Sequence, residues 1–236
     1  MADEIGIHDD GVLTAVRGTI FMAKAETIIT SALLKQFTVE AATVGVGDDM
    51  WTNLGHMSND NLPEFALDGG DATTLSTWLK AAFRTQYAQT TGTVTFNSVQ
   101  GDKGTFKTFY NAVDMTGAGV AFSLEKTPIN KSLFILWSDT NTTGRAGLLL
   151  PNSDIAFSSL PALSTDSFVE FSAQANIKTS SVLPHDKNGK FTSVAYFAPS
   201  DFTVWPVSSL PRLLSARQGT PLFPRIGLFR IILFHG

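Results

Sequence analysis

The chain has 236 residues, of which 43% are hydrophobic and 16% are charged, and it has no cysteine. This composition supplies enough apolar surface for a folded core, and it excludes disulfides, thiolate metal sites and cysteine nucleophiles. The net charge of −4 argues against a generic nucleic-acid-binding protein.

The charge is unevenly distributed along the chain. The segment 207–236 contains four arginines and no acidic residue, whereas 1–206 contains all 21 acidic residues and has a net charge of −8. We therefore predict one domain at 1–206 and a C-terminal tail at 207–236. Thirty residues bury too little surface to fold alone.

Neither a targeting segment nor a membrane span is expected. The N-terminus is acidic and has no basic and apolar regions of a signal peptide. The most apolar stretch, 226–234, has nine residues interrupted by Arg230, whereas a transmembrane helix needs about 20. The sequence predicts a soluble protein.

In the first half of the chain, the sequence pattern predicts short extended runs separated by polar loops. A strand is expected at 18–24 and a turn of helix at 31–37, followed by a long polar loop at 43–61. The segment 73–87 fits either a helical apolar stripe or a strand rich in threonine and aromatic residues. Apolar residues at i, i+3, i+4 and i+7, with Asp102 as the N-cap, predict a helix at 102–113.

The second half predicts strands at 119–124, 132–137 and 166–178, with a second polar loop at 179–190. The run at 132–137 is continuously apolar, which is typical of a strand covered on both faces. Strict alternation makes 166–178 the clearest strand, with an expected length of about 40 Å. Its apolar face contains Val169 and Phe171, and its polar face includes Glu170, Ser172, Gln174 and Asn176.

A search for chemical motifs finds no enzyme signature and predicts no cofactor. The glycine pairs lack the third glycine of a dinucleotide site, and the four histidines are scattered without metal-ligand spacing. The pair Asp68 and Asp71 could act as paired carboxylates, but the glycines between them favour a turn. The run His8-Asp9-Asp10 could bind a hard cation, although a solvated arm is favoured.

The sequence resembles a known family in several consecutive segments. They begin with Trp51-Thr-Asn-Leu-Gly-His-Met-Ser58, Asn61-Leu-Pro-Glu-Phe-Ala-Leu-Asp-Gly-Gly-Asp71 and Thr77-Trp78, and they continue to Ala195-Tyr-Phe-Ala-Pro-Ser-Asp-Phe202. These segments, covering nearly all of 5–206, resemble the major tail (tail tube) proteins of long-tailed phages of actinobacteria.

The resemblance implies a mostly β fold, a barrel or sandwich with one packed α-helix, and a structural virion protein made in the host cytoplasm. Six copies would form a ring, and stacked rings would form the tube that conducts double-stranded DNA. Implied partners are further copies, the tape-measure protein, and the distal tail and tail-terminator proteins. On this resemblance, extended structure is favoured at 73–87.

The resemblance also implies where contacts would lie. An N-terminal arm at 1–17 and the long loop at 43–61 would reach neighbouring rings, with candidate contacts at Asp9, Asp10, Trp51 and His56. The polar face of 166–178 (Glu170, Ser172, Gln174 and Asn176) is hypothesised to line the lumen, against the alternative of the outer surface. The start of 207–236 looks like an immunoglobulin-like extension that has been truncated or frame-shifted.

Three other functions remain open from the sequence. One is a monomeric carbohydrate-binding or adhesin β-sandwich that uses Trp51, Trp78 and Trp137 as sugar platforms. Another is a weak hydrolase that uses Asp68 and Asp71. A third is the tube of a type VI secretion system, which is closely related to a phage tail tube.

Overall fold

The computed structural model describes residues 6–7, 11–139 and 144–202, and these residues are mostly β structure. The predicted tail at 207–236, Asp9 and Asp10 lie outside the described residues. The strands are β1 (Arg17–Lys24), β2 (Thr43–Val44), β3 (Trp51–Asn53), β4 (Glu64–Asp68), β5 (Ala72–Leu75), β6 (Arg84–Tyr87), β7 (Thr91–Ser98), β8 (Val113–Asp114), β9 (Val120–Ala121), β10 (Ile129–Ser138), β11 (Arg145–Phe157), β12 (Phe171–Ile177) and β13 (Ala195–Phe197). The α-helices are α1 (Ser31–Leu34), α2 (Lys103–Phe109) and α3 (Pro199–Phe202).

Nine of these strands form one antiparallel sheet. The strand order is β2-β3-β1-β10-β11-β12-β7-β4, and β13 also pairs with β11. The thirteen-residue β11 therefore has two neighbours on one side, because it pairs with β13 through 147–149 and with β12 through 153–157. Two small ribbons, β5-β6 and β8-β9, stand apart from this sheet.

The sheet separates two hydrophobic clusters, and β10 contributes to both. Leu133 and Ile135 belong to the first cluster, together with β12, β7 and α2, whereas Phe134 and Leu136 belong to the second. This arrangement follows from the alternation of side chains along a strand. It confirms the prediction that 132–137 is covered on both faces.

An aromatic group fills the second cluster. The rings of Phe37, Trp51 and Phe197 surround Phe134 with centroids 4.8, 6.3 and 5.8 Å from it, in edge-on arrangements. Such pairs contribute about 0.5–1.5 kcal/mol beyond the buried area. Trp51 is fully buried in this cluster. Its side chain is part of the core, so it cannot act as a sugar platform, and the predicted contact of Trp51 with a neighbouring ring stays a prediction.

Helix α2 begins where the sequence predicts and ends earlier. The Asp102 carboxylate accepts a hydrogen bond from the backbone N–H of Thr105 at 2.8 Å, as expected of an N-cap. The helix ends at Phe109, and Asn111 has a left-handed φ of 49°. Val113, assigned by sequence to the apolar stripe, therefore lies in β8 and is exposed.

The long strand predicted at 166–178 is only seven residues long in the structure. The backbone N–H groups of Asp166 and Ser167 donate to the Ser164 hydroxyl, which forms a local turn in place of extended pairing. Within Phe171–Ile177 the predicted alternation is confirmed, because Phe171, Ala173 and Ala175 are buried. The thirteen-residue strand is instead Arg145–Phe157.

Both the predicted long loop at 43–61 and the ambiguous segment at 73–87 contain β-strands. The segment 43–61 contains β2 and β3, which pair with each other and, through β3, with β1. It is therefore partly a sheet edge, and its predicted contact with a neighbouring ring stays a prediction. The segment 73–87 is a β-hairpin, β5-β6, which confirms the extended alternative.

Candidate functional site

One face of the sheet is lined by small polar side chains. We define the polar face as seven polar residues, three from β7, three from β12 and one from β11, together with the small apolar Ala156 of β11: Thr93, Thr95, Asn97, Ser172, Gln174, Asn176, Asp154 and Ala156. The register aligns them in cross-strand rows, since Gln174 pairs with both Thr95 and Ala156. They are half-buried or exposed, and α2 packs against the opposite, apolar face.

Charges on this side of the sheet are few and mostly acidic. Lys178 extends the row of polar residues along β12, and its ammonium group forms a 2.8 Å ion pair with Asp154. This bond and a hydrogen bond from the Asn130 side chain hold the pKa of Asp154 below its ordinary value. Glu64 of β4, which is opposite Thr95 in the register, adds an exposed carboxylate.

Glu170 differs from the three other residues predicted for the lumen. It precedes β12 and pairs with Ala162 through an isolated bridge. Its carboxylate accepts hydrogen bonds from the hydroxyl of Ser58 at 2.5 Å and the side-chain amide of Asn61 at 2.8 Å. Glu170 therefore fixes the 58–61 loop, whereas Ser172, Gln174 and Asn176 lie together on the polar face.

Sequence reasoning did not identify the contribution of β7 to this face. Thr93, Thr95 and Asn97 alternate with the buried Val94 and Phe96. That alternation is the same signal that identified β12. A search for a second alternating run would therefore have found the neighbouring half of the face.

The β5-β6 hairpin is a projecting apolar surface. Every residue from Asp71 to Thr91 is exposed, and the turn at Thr77–Lys80 is closed by hydrogen bonds between the backbones of Thr77 and Lys80. The turn presents Trp78, which is completely exposed at 107%, and Leu79 at 91%. Further exposed large apolar side chains are Leu75 on β5, Phe83 just before β6, and Tyr87 on β6. Exposed apolar clusters of this kind mark interaction surfaces.

A shallow pocket of about 470 Å³ lies at the opposite edge of the sheet, beside β2. Its apolar wall includes Ile28, Leu33 and Val46, and Val46 is 85% exposed. Its rim carries the acidic 3₁₀ turn Gly47–Asp49. Gly45 has a φ of 84°, and a Cβ there would lie 2.6 Å from the Asp49 carbonyl oxygen, so the turn requires glycine.

The other predicted residues do not form a catalytic or sugar-binding site. The exposed Asp68 accepts a hydrogen bond from the Gly69 N–H in a turn. Trp137 stacks on Tyr196 at 6.4 Å, Trp78 is at the hairpin tip, and Trp51 is in the core. His56 is exposed, and its backbone bonds to the end of β7.

Within the described ranges, no group of acidic and histidine side chains is arranged to hold a metal ion. No helix in the same part of the chain has the length and apolar character needed to cross a membrane.

A mostly β subunit with an exposed polar sheet face and a projecting apolar hairpin belongs to the class of structural proteins with extensive interaction surfaces. The family model for phage tail tube proteins matches residues 5–181, and the chain belongs to this family. It is therefore a structural component of the phage tail, which confirms the non-enzymatic virion role predicted from the sequence.

Two curated relatives agree with this assignment. Over 78 residues the chain is 37% identical to the major tail protein Gp23 of Mycobacterium phage L5, and equally similar to the major tail protein Gp23 of Mycobacterium phage D29. The similarity covers 33% of this chain and 39% of the length of each relative.

Proposed function

We propose that copies of this chain form closed rings of six, that the rings stack into a hollow tail tube, and that double-stranded DNA passes through the tube during ejection. Membership of the tail tube family supports self-assembly. The observation that carries the conduit role is the polar face, because its side chains suit a surface along which DNA slides.

The chemistry of the polar face is that of a non-adhesive wall. Protein–DNA affinity depends on neutralising phosphates with cations, because each neutralised phosphate releases counterions. The side chains of β7 and β12 on this face are hydroxyls and amides, and the nearby ammonium of Lys178 is neutralised by Asp154. Six copies of 1–206 would have a net charge of about −48, which also opposes DNA binding.

The β5-β6 hairpin is the proposed contact between subunits. Its residues are exposed in the subunit, and the contact predicted for 43–61, which lies partly in the sheet, stays a prediction beside it. The edge strand β4, which leads into the hairpin, is also exposed, with Leu67 at 80%. Edge strands of this kind are normally protected by pairing or covering, and ring closure would supply that protection.

Assembly is tested with the purified full-length chain. Negative-stain microscopy and sedimentation over a range of concentrations should show rings or tubes that increase with concentration. A strict monomer at high concentration would contradict the proposal and would favour the monomeric β-sandwich alternative.

The orientation of the polar face is tested by Gln174→Lys in virions. Gln174 is at the centre of the face, between Thr95 and Ala156, and each ring would gain six cations beside the DNA path. We expect intact tails and genome ejection slowed by about tenfold at low salt, with the delay reduced as salt increases. Thr116→Lys, at an exposed position after β8, is the matched control. Normal ejection from intact Gln174→Lys virions would argue that the face is on the outer surface.

A further inference from the structure

We propose that the tip of the β5-β6 hairpin of one subunit docks into the acidic pocket beside β2 of a second copy of this chain. This inference rests on the proposed tube function and specifies the contact that holds neighbouring subunits together. Its first support is the position of the two surfaces within the fold. Strand β4, which leads into the hairpin, lies at one edge of the nine-stranded sheet, and β2 lies at the other.

Two different surfaces of one subunit suit a head-to-tail contact. When a knob on one side of a protein fits a hole on another side, each copy can give one contact and receive one. Such heterologous contacts form closed rings or open helical stacks, depending on the rotation between subunits. Closed rings and helical stacks are both compatible with a tube. Neither needs a two-fold dimer, in which one partner would occupy both surfaces of a subunit.

The second support is the match in shape and polarity. Trp78 and Leu79 project from the turn with exposed side chains, and Ile28 and Val46 form an exposed apolar part of the pocket. The pocket volume of about 470 Å³ is large enough for an indole ring. Asp49 is among the lining residues, and a carboxylate is a suitable acceptor for the indole N–H, which is the polar group that a docked tryptophan needs to satisfy.

The third support is charge complementarity. Residues 72–87 contain two basic residues, Lys80 and Arg84, and no acidic residue. Asp49 is one of the residues that line the pocket, Asp48 precedes it in the same 3₁₀ turn, and none of the lining residues is basic. Among the described residues, none of these four charged side chains forms an ion pair within the subunit. Each is thus available to a partner of opposite sign, and complementary charges of this kind fix the register of an interface.

The proposal is tested by a charge swap between two variants of the full-length chain. The first carries Lys80→Glu and Arg84→Glu, and the second carries Asp48→Lys and Asp49→Lys. Each variant alone places like charges across the contact, so we expect its critical concentration for assembly to rise by about tenfold or more. An equimolar mixture should assemble within about threefold of the wild type, because each hairpin then meets a pocket of opposite charge.

Matched controls separate this contact from net charge and from misfolding. Lys187→Glu with Lys190→Glu changes the charge as the first variant does, on an exposed loop away from both surfaces. Glu125→Lys with Asp166→Lys matches the second variant at exposed positions. The controls should assemble as the wild type does, and all variants should keep its circular dichroism spectrum and melting temperature.

The outcomes distinguish this contact from the tube proposal. Normal assembly of either swapped variant alone would overturn the contact, while wild-type tubes would leave the tube proposal intact. Failure of the folded mixture to assemble would also overturn direct pairing of the two surfaces. If the wild type itself never assembled, both proposals would fail together.

Discussion

Replacing Trp78 with alanine should weaken assembly without destabilising the subunit. The Trp78 side chain is completely exposed at the turn of the β5-β6 hairpin. Its removal takes no packing from either core cluster, so the free energy of unfolding should change by no more than about 0.5 kcal/mol. In an assembled tube the same indole is proposed to be buried against a second subunit.

The size of the assembly defect follows from the area involved. A buried tryptophan removes about 150–250 Å² from water. At about 25 cal/mol per Å² this gives a ceiling of about 4–6 kcal/mol for each contact. Ordering of the hairpin and loss of subunit freedom reduce the observed value. We therefore expect a loss of about 2–4 kcal/mol, which lowers the subunit association constant by about 30- to 1,000-fold.

The measurement combines assembly with stability in the same samples. Light scattering and sedimentation give the critical concentration for Trp78→Ala and wild type, and thermal melting gives the stability of the dispersed subunits. Phe168→Ala is the matched control, because Phe168 is an aromatic residue with 79% exposure outside the hairpin. An unchanged critical concentration for Trp78→Ala, or an equal effect of Phe168→Ala, would refute the reasoning.

Two further predictions concern the fold. Gly147→Ala should lower the free energy of unfolding, measured by thermal melting, by about 1–3 kcal/mol. The added Cβ would lie 2.5 Å from two ring atoms of the buried Phe134. An unchanged melting temperature would mean that the ring can move aside. Asp102→Ala should cost about 1 kcal/mol near neutral pH through loss of the α2 cap. Hydrogen bonds from the Gln100 side chain and the Thr105 backbone lower the pKa of Asp102. The stability that the ionised Asp102 adds to the fold is therefore fully present above its unfolded-state pKa of about 4. It is lost as pH falls through the lower folded-state pKa. The difference in melting temperature between wild type and Asp102→Ala should therefore decrease at low pH, and a constant difference from pH 7 to pH 2 would contradict this explanation.

The parts of the fold that could be predicted from the sequence are those set by local pattern. The continuous apolar run identified β10, and Asp102 correctly marked the start of α2. Alternation correctly assigned the two faces of β12 between Phe171 and Ile177. It overestimated the length of that strand because the side-chain bonds to Ser164 favour a turn that alternation does not register.

The parts that could not be predicted depend on tertiary pairing. Trp51 lies in a polar segment, and its burial arises because β3 pairs with β1 and faces Phe37 and Phe134. The polar face required knowing that β7 is hydrogen-bonded to β12. The hairpin was ambiguous because Leu75, Trp78 and Phe83 fit a helical stripe, yet in the structure all three are exposed and no core explains their spacing.

The way in which β11 is shared has a mechanical consequence. It pairs with β10 from Arg145 to Ile155, while β12 and β13 divide its other side between them. A tension directed along β11 would load its hydrogen bonds with β10 in shear, so that many bonds would have to break at once. In the order of the sheet, β11 joins β12, β7 and β4 to β10, β1, β3 and β2, so a force that pulled these two groups of strands apart would act on the hydrogen bonds of β11.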